Sequence, residues 1–140
     1  MATLHPAARE LIESGHLAHL VTINEDGSPQ VSIIWVGLDG DQLVSGHLSP
    51  GQLKMRNMRR DPRVSLSIEA GTRNAHGLDE YLVVHATVEQ SEGGAPELLQ
   101  RLAEVYLGPG VKFPPMDDPP PGVVCRYTVD RVTGMGPWAA

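Results

Sequence analysis

Apolar and polar positions along the chain change period several times, and each change marks an element. "PAARELIESG" (6–15) has helical spacing, with Pro6 suited to a first turn and Gly15 to a stop. "HLAHLVTI" (16–23) and "SPQVSIIWVG" (28–37) are β-branched runs around the turn "NEDG", which predicts a hairpin. "LDGD" (38–41) predicts a second turn and "QLVSGH" (42–47) a third strand, so these three strands are expected to form an antiparallel meander. "RVSLSIE" (63–69) alternates strictly, placing Val64, Leu66 and Ile68 on one face. "AGTRNAHGLD" (70–79) predicts a loop and "EYLVVHATVEQ" (80–90) another strand. In "APELLQRLAEVYLG" (95–108), Leu98, Leu102, Val105 and Tyr106 recur near helical spacing. The proline-rich segment that follows, up to Gly122, excludes regular structure and predicts an extended loop. "VVCRYTVDRVTGMGPW" is a last strand, broken by Gly134, Gly136 and Pro137 before Trp138. Six strands and three helices, mostly hairpin-connected, predict a mainly β fold: a small closed antiparallel barrel with helices packed outside, over a single domain (1–140).

Length and composition fit that picture. A chain of 140 residues buries one modest core, and with aromatics at 4% the packing falls to Val, Leu, Ile and Met. No apolar run approaches the ~20 residues of a membrane span, and "MATLHPAARELIESG" lacks the pattern of a signal peptide. With Cys125 as the one cysteine, no internal disulfide forms, and a cytoplasmic location is the expectation. The net charge of -6 argues against bulk nucleic-acid binding. A small core favours a dimer, in which a second subunit covers apolar surface.

Charge changes the picture at one place. Lys54, Arg56, Arg59, Arg60 and Arg63 fall within ten positions and make up five of the 11 Lys and Arg residues. Ser49 and Gln52 have capping-box spacing, with Pro50 at the first helical position, so a short helix is expected from Ser49 to near Asp61, before Pro62. A basic helix start of this kind suits a phosphate or other anion. The same run is also compatible with a plain solvated face.

"LVTINEDGSPQVSIIWVGLDGDQLV" followed by "LKMRNMRRDPRVSLSIE" resembles the split-barrel flavin and deazaflavin oxidoreductases, the pyridoxamine 5'-phosphate oxidase-like superfamily. Gly27-Ser28-Pro29 leads into the second strand, and Lys54 stands seven positions before Asp61-Pro62. "KMRNMRRDPRVS" is most similar to the branch that uses the deazaflavin coenzyme F420. The resemblance implies a six-stranded antiparallel split barrel of the FMN-binding type with short outer helices. It also implies a homodimer with cofactor sites at the interface. By position, it implies that Lys54, Arg56 and Asn57, with Gln52 more weakly, contact the cofactor's phosphate or acidic tail. It places Gln30, Ser32 and Ile33 beside the ring, His47 near the ribityl chain or phosphate, and Tyr81 at the cofactor from the same or the neighbouring subunit. Trp138 is a lid candidate. The implied activity is hydride transfer from reduced F420 to an unsaturated or quinone-like small molecule. An FMN-dependent oxidoreductase and a non-catalytic deazaflavin carrier are the alternatives.

No other constellation competes. Cys125 sits in a strand and reads as packing. His16 and His19 would point to opposite faces of a strand, and His85 lies mid-strand. No His, Cys or carboxylate group has metal-ligand spacing.

Overall fold

A computed structural model describes residues 3–139. In chain order the elements are α1 (Pro6–Ile12), β1 (Ala18–Ile23), β2 (Pro29–Ile34), β3 (Gly37–Asp39), β4 (Gln42–His47), α2 (Leu53–Arg60), β5 (Arg63–Arg73), β6 (Asp79–Glu92), α3 (Ala95–Tyr106) and β7 (Val123–Met135). The strands form one antiparallel sheet in the order β2-β1-β5-β6-β7-β4-β3. Alternating inward residues build the core: Leu20, Leu43, Leu66, Ile68, Leu82, Val84 and Tyr127 are all fully buried. Among the described residues no helix is long and apolar enough to cross a membrane.

The sheet has seven strands, not six, because the run 28–37 does not stay one strand. It breaks at Trp35 and Val36 and resumes as the short β3. β2 pairs with β1, whereas β3 pairs with β4 and β4 with β7. The expected three-strand meander is therefore absent, since β2 and β3 occupy opposite edges of the sheet. A two-residue corner thus bridges the split of the barrel. Tyr106 of α3 seals that corner: its hydroxyl accepts the Val36 N–H at 3.0 Å and lies 3.0 Å from Val36 O and 3.1 Å from His16 O.

Three further boundaries differ from expectation. The segment 70–79 is not a loop, because β5 and β6 continue as a hairpin arm to Arg73 and Asp79, around a tight turn held by Asn74. In α3, Leu99 and Ala103 are buried with Leu102, while Val105 is 49% exposed, so the buried stripe is rotated from the expected one. The capping box is not formed. Ser49 O accepts the Gln52 N–H at 3.4 Å in a turn, and extended Gln52 becomes the residue before α2 without a side-chain capping bond. α2 then packs Met55 and Met58 into the core and ends at Asp61, as Pro62 requires.

Candidate functional site

The five clustered cations do not form one face. Arg59 donates to Pro50 O at 3.0 Å, Arg60 donates to Ile23 O, and Arg63 is paired with Asp61 at 2.7 Å. Among the described residues, Lys54 and Arg56 have no ion-pair partner. Two positions apart on a helix, they point to different sides. Lys54 is half-buried toward the barrel, whereas Arg56 is exposed on the outer side of α2 with Gln52, one turn before it.

Lys54 reaches a cleft of about 240 Å³ that His47, Ile33, Trp35 and Phe113 also line. The cleft combines one cation with an aromatic wall. Trp35 stacks on Tyr106 with ring centroids 5.2 Å apart, and Phe113 tilts against Trp35 at 5.0 Å. Phe113 lies in the proline-rich loop, which Gln100 of α3 pins on both sides of it. The Gln100 amide donates to Val111 O at 2.7 Å and accepts from the Phe113 N–H at 2.9 Å. His47 ends β4 almost fully buried, with Nε2 2.7 Å from Ser45 Oγ. Burial, then the Lys54 charge, pushes the His47 pKa down to about 4, so its ring is neutral at pH 7. Burial also lowers the pKa of Lys54.

Of the residues the sequence singled out, Ile33, His47 and Lys54 meet in this cleft. Gln30 and Ser32 point to the opposite face of β2 from Ile33, as strand alternation demands. Asn57 is turned inward and fully buried, donating to Thr22 Oγ1 at 3.1 Å and Asn24 Oδ1 at 2.8 Å. It ties α2 to the β1–β2 hairpin and presents nothing to the cleft. Tyr81 stands at one end of β6 and Gln90, which touches α2 by donating to Met55 O, at the other. They stand nine positions apart along the strand, roughly 30 Å. Tyr81 borders a wide concavity on the outer sheet face with His19, Ser67 and Val83, and its carbonyl accepts from Trp138 Nε1 at 3.0 Å. Sequence reasoning missed Trp35 and Phe113 in the cleft, and Ser45 and Tyr127 behind it, where Ser45 Oγ meets His47 Nε2 at 2.7 Å and the Tyr127 hydroxyl at 2.8 Å. Two of them carried a signal: Phe113 is the chain's one phenylalanine, and Ser45 shares a strand face with His47.

The remaining candidates are structural. Cys125 is buried and its thiol is pushed up to about 11 by burial. His85 lies between Ser65 Oγ and Thr133 Oγ1, at 3.3 and 3.1 Å. Among the described residues, no group of His, Cys, Asp and Glu could hold a metal ion.

The fold and the cleft can be set beside known proteins. A solved F420 reductase superimposes with a TM-score of 0.73 at 26% identity, covering 89% of this chain and 94% of that one. The conserved hypothetical protein Rv2991 from Mycobacterium tuberculosis gives a TM-score of 0.73 at 26% identity, covering 96% and 88%. HupZ of Group A Streptococcus, 18% identical with a TM-score of 0.64 over 99% and 98%, shares the fold alone. No curated protein sequence matches the chain. The family description "Pyridoxamine 5'-phosphate oxidase" matches residues 4–136, almost the whole length. With the split sheet closed at Trp35 and the Lys54 cleft beside it, the chain belongs to the pyridoxamine 5'-phosphate oxidase family.

Proposed function

We propose that the protein is an oxidoreductase that binds coenzyme F420 and directs hydride from the reduced cofactor to an unsaturated or quinone-like small molecule. The observation that carries this reading is the cleft itself: a half-buried, unpaired Lys54 beside neutral His47, under the aromatic wall of Trp35 and Phe113. A cation there suits an anionic oxygen, and a flat apolar wall suits a conjugated ring. The donor set therefore fits a phosphate-bearing flavin or deazaflavin, and similarity to the F420 reductase supports the second. When bound, such a cofactor supplies the hydride; the chain binds, orients and excludes water. Arg56 and Gln52, on the outer side of α2, stand free for an acidic tail that leaves the cleft.

The site is completed by a second copy in this reading. Val31 and Ile33 are 59% and 58% exposed on the outer face of β2. Ile33 aligns across the sheet with His19, Ser67 and Val83, and it also lines the cleft. A partner docked on this face would border the cofactor, and Tyr81 would serve the partner's site rather than its own.

One observation favours FMN as the second reading. Arg59 and Arg60 bind backbone carbonyls, which leaves Lys54 and Arg56 as cations enough for one phosphate. Fluorescence titration with F420 and with FMN, at low and moderate salt, separates the two. Tight, salt-sensitive F420 binding that weakens about 10- to 100-fold in Lys54→Met is expected. Preferential FMN binding reassigns the cofactor. Binding of neither overturns the reading, and binding without turnover across an acceptor panel identifies a carrier.

A further inference from the structure

Behind the cleft runs a buried hydrogen-bond chain that cofactor binding alone does not explain. His47 Nε2 lies 2.7 Å from Ser45 Oγ, and Ser45 Oγ lies 2.8 Å from the Tyr127 hydroxyl. Ser45 and Tyr127 are fully buried. The Cys125 thiol, on the same strand as Tyr127, lies near both hydroxyls but makes no hydrogen bond of good geometry with either. Each hydroxyl carries one proton and can accept two, so three arrangements put a proton in both short contacts. In the first, Tyr127 donates to Ser45 and Ser45 donates to His47 Nε2. In the second, His47 donates to Ser45 and Ser45 to Tyr127, which leaves the Tyr127 proton with the Cys125 sulfur; in the third, His47 and Tyr127 both donate to Ser45, which leaves the Ser45 proton with that sulfur. An imidazole nitrogen is a stronger acceptor than a thiol, so the first arrangement wins. The one proton of the neutral ring then sits on Nδ1. That nitrogen has no hydrogen-bond partner among the described residues, and no enclosed side-chain N or O lacks one. Nδ1 therefore opens on the cleft that His47 shares with Lys54.

We propose that Ser45 and Tyr127 are positioning residues that lock His47 as the Nδ1–H tautomer, making it a neutral hydrogen-bond donor to an anionic oxygen held by Lys54. The ligand half of this statement rests on the cleft being the cofactor site; the tautomer does not. A neutral donor suits the place. An imidazolium would repel the Lys54 ammonium, and burial opposes it as well. His47 thus adds a hydrogen bond to the anion without adding a charge.

The test is 15N NMR of protein labelled at histidine, at pH 7, with the His47 ring nitrogens assigned by their loss in His47→Gln. The free wild-type protein is expected to show the Nδ1–H tautomer. Tyr127→Phe is expected to move the population toward Nε2–H while circular dichroism stays native. Should that variant fail to fold, Ser45→Ala gives the same readout. In fluorescence titrations with FMN and F420, His47→Gln, which keeps a neutral donor, is expected to bind within about threefold of wild type, and His47→Phe about tenfold more weakly. An Nε2–H tautomer in the free wild-type protein overturns the proposal even if a cofactor binds. An Nδ1–H tautomer in a protein that binds neither FMN nor F420 overturns the cofactor reading and the donor role with it, and leaves the lock standing.

Discussion

Asn57→Ala separates a structural from a ligand-binding role for the asparagine of the basic helix. The Asn57 amide has two protons, and its two short bonds go to Thr22 Oγ1 (3.1 Å) and Asn24 Oδ1 (2.8 Å). Two marginal 3.4 Å approaches remain, Nδ2 to Gln30 Oε1 and Arg60 Nη2 to Asn57 Oδ1. Asn57 and Thr22 are both fully buried, so water cannot replace the lost partner without entering the core. Two net hydrogen bonds of roughly 1 kcal/mol each, with the cost of the vacated space, give a loss of about 3 kcal/mol. For a chain of this length that is a fall in Tm of roughly 10 °C. Urea unfolding should show a lower midpoint with the same slope. Asn57→Asp should also destabilise, because a carboxylate has no proton for either acceptor and would face Asn24 Oδ1, with Arg60 beside the Asn57 Oδ1 position offsetting part of the loss. A stability loss below about 1 kcal/mol, together with a tenfold loss of cofactor affinity, would refute this reasoning and return Asn57 to the ligand.

The pH dependence of stability follows from His47. Its folded pKa, about 4, lies below the ordinary 6.5, so the unfolded chain takes up a proton first. Stability should fall by up to about 3 kcal/mol as pH drops from 6.5 to 4, in urea midpoints, and His47→Gln should flatten that window. Below pH 4 a separate loss is expected from Asp61, held at about 2 by Arg63. The Cys125 thiol, pushed up to about 11, should resist iodoacetamide at pH 8 until urea unfolds the chain; rapid native labelling, by mass spectrometry, would contradict its burial. Gly122 has φ +61, and an added Cβ would collide with His47 O and Ala95 Cβ. Gly122→Ala should therefore cost roughly 2–4 kcal/mol in chemical denaturation, and an unchanged midpoint would show that this approach of the loop to β4 is not tight.

The legible parts of the sequence were those where one face of an element is buried. Val64, Leu66 and Ile68 alternate because β5 has an inner face, and their burial follows. The arm 70–79 was illegible for the same reason reversed: most of its residues are exposed on both faces, so no alternation marks it as strand. The corner at Trp35 was hidden because a β-branched run looks alike whether it continues or turns onto the other edge of a sheet. Only Tyr106, some 70 positions away in sequence, fixes the turn. In the site, the residue types of the basic run were visible but not their acceptors. Backbone carbonyls of Pro50 and Ile23 leave no trace in a sequence, yet they decide where Arg59 and Arg60 point.

In the proposed reading the basic run answers two needs at once. α2 is short and lacks a side-chain cap, so it depends on tertiary contacts to stay on the barrel. Met55 and Met58 supply the apolar part. Arg59 and Arg60 reach carbonyls at opposite ends of the neighbouring segments, Pro50 and Ile23, which only a long side chain with several donors can do. Lys54 sits at the opposite end of the helix, where a compact charge on a flexible stem can meet an anion without being fixed by the protein. Replacing the two arginines should thus loosen the helix and weaken ligand binding only through it. Replacing Lys54 should weaken binding while leaving the helix in place. In the proposed reading the division of labour lies between residues five and six positions apart, and the local excess of positive charge in an acidic chain serves anchoring first and recognition second.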